Sequence, residues 1–183
     1  MAPKVRKTEA RERARRLKRS LGAKKQATLA GRKTAVDRIS MVNVAYKGET
    51  FRAAEAWGRI TMTPETLNLV LQDKLPKGNV LVTAKLAGIQ AAKKTSEIVP
   101  LCHPLRITAV EIEIFPDKNQ AALIITAKVS ARDRTGVEME ALTAVAVACL
   151  TIYDMAKAFD QRMVIGPIHL LSKKGGKSGS FRW

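Results

Sequence analysis

The chain has 183 residues, 46% of them hydrophobic and only 4% aromatic, enough for one aliphatic core of ordinary domain size. Its net charge of +17 is unevenly spread: residues 1–38 hold fourteen Lys and Arg against three acids, and the remainder nineteen against thirteen. Scarce aromatics argue against a base-stacking module, and Cys102 and Cys149 lack the spacing of a zinc site or a disulfide framework.

Residues 1–38 have no apolar periodicity, so they are expected to form a basic, disordered extension, or a transient helix, ahead of a domain over 39–183. The segment has no apolar h-region of a cleavable signal, and Glu9, Glu12 and a shortage of serine argue against a transit peptide. A solvated tail is the plain reading. An arm for nucleic acid or another acidic partner is the sharper one, because each phosphate neutralised by Lys or Arg adds a salt-sensitive increment of binding.

Within the domain the pattern alternates between strand and helix periods. Residues 52–62 read as a strand stopping before Thr63, an N-cap, and Pro64, the first residue of a short helix to about Gln72. Residues 78–96 carry Val80, Ala84, Gly88 and Ala91 at helical spacing. Two extended runs, 106–115 and 121–131, flank the turn residues Pro116, Asp117, Lys118 and Asn119 and make a hairpin. The longest helix runs through ALTAVAVACLTIYDMAK, residues 141–157, and residues 163–172 form a last strand bent at Gly166 and Pro167. This order suggests an α+β domain, a ferredoxin-like antiparallel sheet with helices packed on one face. The apolar part of the long helix reads as too short for a bilayer and ends in charge, so no membrane is expected. Both cysteines read as small packing residues in a reducing cytoplasm.

Several polar residues interrupt this aliphatic background. Asp154 and Lys157 stand three apart and share a helix face where core packing is expected; desolvation and the helix dipole both disfavour an ionised Asp there. The bland reading is an ion pair on the wet edge of a core helix. His103 lies between Pro100 and Pro104 on a stiff, non-helical segment. Thr135 and Glu138 have capping-box spacing, which gives Glu138 a structural role and leaves Glu140 without one. Lys173, Lys174 and Lys177 surround a Gly-rich turn suited to anions, although no glycine stands at Leu171 to complete a nucleotide P-loop.

Four segments together resemble one family. LPKGNVLVTAKLAGIQAAKKTSEIVPLCHPL, TGVEMEALTAVAVACLTIYDMAKA, MVIGPIHLLSKKGGKSG and, more weakly, MVNVAYKGETFRAAEA are similar to the cyclic pyranopterin monophosphate synthases of molybdenum cofactor biosynthesis. The resemblance covers nearly all of residues 41–181. It implies a ferredoxin-like subunit, a homohexamer built as a trimer of dimers, and active sites between subunits. It also implies a lyase that rearranges (8S)-3′,8-cyclo-7,8-dihydroguanosine 5′-triphosphate to a cyclic pyranopterin monophosphate and releases diphosphate. No resident cofactor or metal is implied, with Mg2+ entering only alongside the substrate triphosphate.

Carried over by position, Asp154 and Lys157 match the family's catalytic pair, with Lys77 a further polar residue of the same chemistry. Leu101, Cys102, His103, Glu138, Met139 and Glu140 match substrate-binding segments, and Lys173 a functional lysine whose charge Lys177 extends. Arg52 and Lys47 match basic positions lent by a neighbouring subunit toward the phosphates. Such residues suit the reaction if the pKa values of the acid and amine are pushed toward neutrality for proton transfer, and if lysines and arginine cradle the leaving diphosphate. One departure stands out: the family commonly opens with His-Met-Val-Asp-Val, and Ser40 and Asn43 replace its imidazole and carboxylate here. Two competing readings are a catalytically idle relative or nucleic-acid-binding protein that uses the basic tail and a charged oligomer surface, and a phosphate-ester lyase acting on another nucleotide.

Overall fold

The computed structural model describes residues 39–177 and 179–183; the basic extension, with the expected disorder and partner arm, lies outside the described residues. Strand β1 (Thr50–Thr61) starts two residues earlier than the sequence pattern suggests and alternates so that Ala54, Ala56 and Ile60 face the core. Helix α1 (Pro64–Leu71) begins as expected: the Thr63 hydroxyl accepts from the Thr66 backbone N–H, and Pro64 takes the first helical position. Helix α2 (Val80–Lys93) is capped by Asn79, whose side-chain oxygen accepts from the Val82 N–H at 2.8 Å. A single turn, α3 (Thr95–Ile98), follows and ends at the proline-bounded segment carrying His103.

Strands β2 (Ile107–Asp117) and β3 (Ala122–Asp133) form the expected hairpin, with the turn shifted two residues along. The Asp117 carboxylate accepts from the N–H groups of Asn119 and Gln120, and that side-chain turn lets Pro116 and Asp117 stay in the strand. Helix α4 (Glu138–Ala156) crosses beneath the sheet, and strand β4 (Val164–Lys174) returns along β1 to a two-residue strand β5 (Phe181–Arg182). The sheet order is β2-β3-β1-β4-β5 with every pairing antiparallel, so the first four strands have the ferredoxin-like arrangement read from the sequence.

The core lies between the sheet and α2 and α4. Ile60, Leu123, Ile125 and Ile152 are fully buried there, each worth about 1.5–3 kcal/mol of apolar transfer. Close approach of α2 to α4 depends on small residues: a Cβ at Gly88 would sit 2.4 Å from Ile112 Cδ1 and 2.9 Å from the Ala144 carbonyl. Helix α4 is, by length and composition, apolar enough to cross a bilayer, contrary to the reading of it as too short. Its apolarity serves the core instead, since Ala141, Ala144, Val145, Ala148 and Ile152 are fully buried against protein.

Candidate active site

Two polar clusters form at opposite ends of α4. At its C-terminal end Asp154 holds two ammonium groups, with Lys157 Nζ 2.7 Å from Oδ1 and Lys77 Nζ 2.7 Å from Oδ2. Lys77 also donates to the Asp154 backbone carbonyl at 3.0 Å, satisfying one of the carbonyls that a helix end leaves without an intrahelical donor. Lys77 reaches this point from the turn that leads into α2, so the fold joins residues 77 positions apart.

The electrostatics overturn one expectation. Asp154 is not desolvated, because its side chain is 56% exposed. Hydrogen bonds from Lys157 and Lys77, with the charges they carry, lower its carboxyl to about 2, and Asp154 in turn raises Lys157. Opposite charge wins over burial, so in the single subunit the pair is pushed apart from neutrality and is fully ionised near pH 7.

The other cluster surrounds the N-terminus of α4. Glu138 does not form the expected capping box; Val137 occupies the cap position, and among the described residues no side chain caps the helix. The Glu138 carboxylate instead lies 3.3 Å from Lys173 Nζ. Sheet register explains the encounter: Lys173 pairs with Ala54 across β4 and β1, cross-strand partners share a face, and Ala54 faces the helices. Lys173 and Lys174 thus lie in strand β4 rather than in the glycine turn, and only Lys177 remains beside the glycines. Arg52 points to the same face, two residues before Ala54.

Arg52 shares a groove of about 610 Å³ with Lys47, Arg134, Lys177 and Glu138. Gly175 and Gly176 close one wall with φ near +101° and +85°, a backbone shape that favours glycine. A Cβ on Gly176 would lie 1.7 Å from Arg52 Nη1, so a larger residue there would displace the guanidinium. Lys47 sits in a turn closed by its N–H to the Val44 carbonyl, and its Nζ lies 6.0 Å from the Tyr46 ring centroid. Arg134 carries no motif of its own in the sequence beyond a basic residue just ahead of the T-G-V-E segment.

Glu140 is buried, 3% exposed, on the first turn of α4. Burial, opposed by its own backbone N–H and reinforced by the charge of Glu138, raises its carboxyl to about 7. Cys102 is electrostatically coupled to it: burial first and the Glu140 charge second raise the Cys102 thiol. Met139 and Leu101 are exposed, and His103 is half-buried on its non-helical segment as expected. The sixteen-residue interval from Glu138 to Asp154 spans about 24 Å at the helical rise of about 1.5 Å per residue. A single subunit therefore does not bring the Asp154 cluster to the cationic groove.

An acid gripped by two lysines, a cation-rich groove and a buried carboxyl raised to about 7 are residue types suited to proton transfer and to binding anions, as an enzyme acting on a phosphorylated substrate requires. The MoaC family model matches residues 41–176, and the chain belongs to that family. Its relatives include the cyclic pyranopterin monophosphate synthase of Brucella ovis, 53% identical over 156 residues, covering 84% of this chain and 94% of the relative. The synthase of the same name from Parvibaculum lavamentivorans is 55% identical over 142 residues, 78% of this chain and 89% of the relative. That of Desulforapulum autotrophicum is 54% identical over 144 residues, 79% and 88%.

Proposed function

We propose that this chain is a lyase of molybdenum cofactor biosynthesis that converts the cyclised guanosine triphosphate derivative to cyclic pyranopterin monophosphate and diphosphate. The observation that carries the reading is the Lys77–Asp154–Lys157 cluster: residues that the family motif assigns to catalysis from separate segments meet within 2.7 Å in the folded chain. Protonated lysines beside the reacting ring can donate protons and stabilise developing negative charge, and Asp154 holds them in position. Binding substrate excludes water from this exposed cluster and draws the ionised pair toward the neutral forms that exchange protons. Glu140, already near neutrality, is suited to proton transfer on the ring. In this reading Lys173, Lys177, Lys47 and Arg52 hold the triphosphate, and Leu101, Cys102, His103, Glu138 and Met139, which match the family's substrate-binding segments, contact the rest of the substrate.

The separation of the two clusters along α4 calls for a site shared between copies, with the Asp154 end of one subunit facing the Arg52 end of another. Two separate apolar surfaces support more than one kind of subunit contact, as a trimer of dimers needs. On the sheet face turned away from the helices, His169 lies between Trp57 and Trp183, with ring centroids 5.2 and 4.6 Å apart. On the helices, Val82, Leu86 and Leu150 are each more than half exposed.

Incubation of the purified protein with the cyclised triphosphate tests the reaction. Stoichiometric diphosphate and a fluorescent pterin after oxidation are expected. Substrate binding without either product would make the chain an idle relative, and diphosphate without pterin would make it a lyase for different chemistry.

A further inference from the structure

We propose that Arg134 acts with Arg52 as a two-guanidinium clamp on the terminal phosphates of the substrate. This rests on the reading of the substrate as a triphosphate that loses diphosphate. Arg52 comes from β1 and Arg134 from the residue after β3, and the two are tied together: Arg52 Nη2 donates to the Arg134 carbonyl at 3.4 Å. Arg134 is fixed at its backbone too, where its N–H donates to the Asp133 carboxylate at 2.8 Å. The same carboxylate accepts from the Arg106 N–H, so the corner between β3 and α4 is held from two directions.

Arg52 and Arg134 both line the groove that also holds Lys47 and Lys177. Four cations there face one carboxylate, Glu138, which lies 3.3 Å from Lys173. Among the described residues Arg52 meets no carboxylate, and its Nε is buried without a hydrogen-bond partner. Like charges gathered along one groove repel each other, and a polyanion with several oxygens relieves that repulsion. A diphosphate presents two groups of oxygens, one for each planar fork, whereas orthophosphate offers a single group. Arg134 thereby favours triphosphate substrates over monophosphates and gathers charge on the leaving group.

Calorimetric titration of the full-length protein with inorganic diphosphate and with orthophosphate is the test, using wild type, Arg134→Ala and Arg134→Lys. Arg134→Ala should weaken diphosphate binding roughly 10- to 100-fold, the scale of a lost charge-assisted contact, and orthophosphate binding by far less. Arg134→Lys, which keeps the charge but not the fork, should recover part of the loss and covers the case in which the alanine variant fails to fold. Unchanged diphosphate affinity in a folded variant, an equal loss for both anions, or wild type without diphosphate affinity would each overturn the clamp. Direct binding separates the two ideas: diphosphate affinity that depends on Arg134 upholds the clamp even if the protein makes no pterin.

Discussion

Lys77 Nζ donates to both the carboxylate and the backbone carbonyl of Asp154, at 2.7 and 3.0 Å, and so ties the turn before α2 to the last turn of α4. A lysine serving as both helix cap and counter-ion fixes where the carboxylate points. Replacing Lys77 by alanine should lower the rate of diphosphate release by about 100-fold or more, the scale for losing one preorganised charge. Melting temperature and oligomer size should change little, because the pair is half exposed and such pairs contribute little to stability. A near-normal rate would remove Lys77 from the chemistry.

Asp154→Asn should release Lys157. Asp154 raises the Lys157 ammonium chiefly through its hydrogen bond and then through its charge, so the amide should return that lysine toward its ordinary value. Carbon-13 chemical shifts of the lysine side chains across a pH series would show the titration moving down. An unmoved Lys157 would mean that the pair does not persist in solution.

Glu140 makes a prediction of the opposite sign. Its folded value of about 7 lies above the ordinary 4.5, so the folded chain holds a proton that the unfolded chain has lost between those values. Stability should fall as pH rises from about 4.5 to about 7 and then level off, by up to about 3 kcal/mol. Glu140→Gln should flatten that slope in denaturant melts. An unchanged slope would place the titration elsewhere.

Cys149 should behave as a packing residue. Burial pushes the Cys149 thiol up to about 12, so alkylation by iodoacetamide at pH 8 should wait for unfolding. Cys102, raised by burial and by Glu140, should also react more slowly than a free thiol, and Glu140→Gln should speed it. Rapid modification of Cys149 in the native protein would contradict its buried position.

Gly88 tests the packing of the layer that carries Asp154. Gly88→Ala would push a methyl to 2.9 Å from the Ala144 carbonyl, a backbone atom that cannot move aside cheaply. A loss of about 1–3 kcal/mol is expected in denaturant melts, the range for overpacked cores.

Elements whose signals are local were legible in the sequence. Thr63 and Pro64 marked the start of α1, and strand alternation gave β1 and the hairpin, because capping and pleating depend on neighbours along the chain. Features set by tertiary contact were misread or missed. Glu138 has capping-box spacing, yet the cross-strand position of Lys173 captures its carboxylate. Asp154 lies on an apolar helix, which suggested burial, but the last turn of α4 projects into solvent beside Lys77. Arg134 was silent because its significance depends on Arg52, which is 82 residues away. Asn43, the departure from the family pattern, accepts from the Ala45 N–H at 2.9 Å, so it shapes the turn that precedes Lys47.

Subunit complementation tests the shared site most directly. Asp154→Asn and Arg52→Ala disable opposite ends of α4, and chains carrying one or the other can be co-expressed with different tags and purified as mixed oligomers. A site built from two copies predicts that random mixing restores about a quarter of wild-type turnover, because one pairing in four joins an intact Asp154 end to an intact Arg52 end. Mixed oligomers as inactive as both parents would contradict the account.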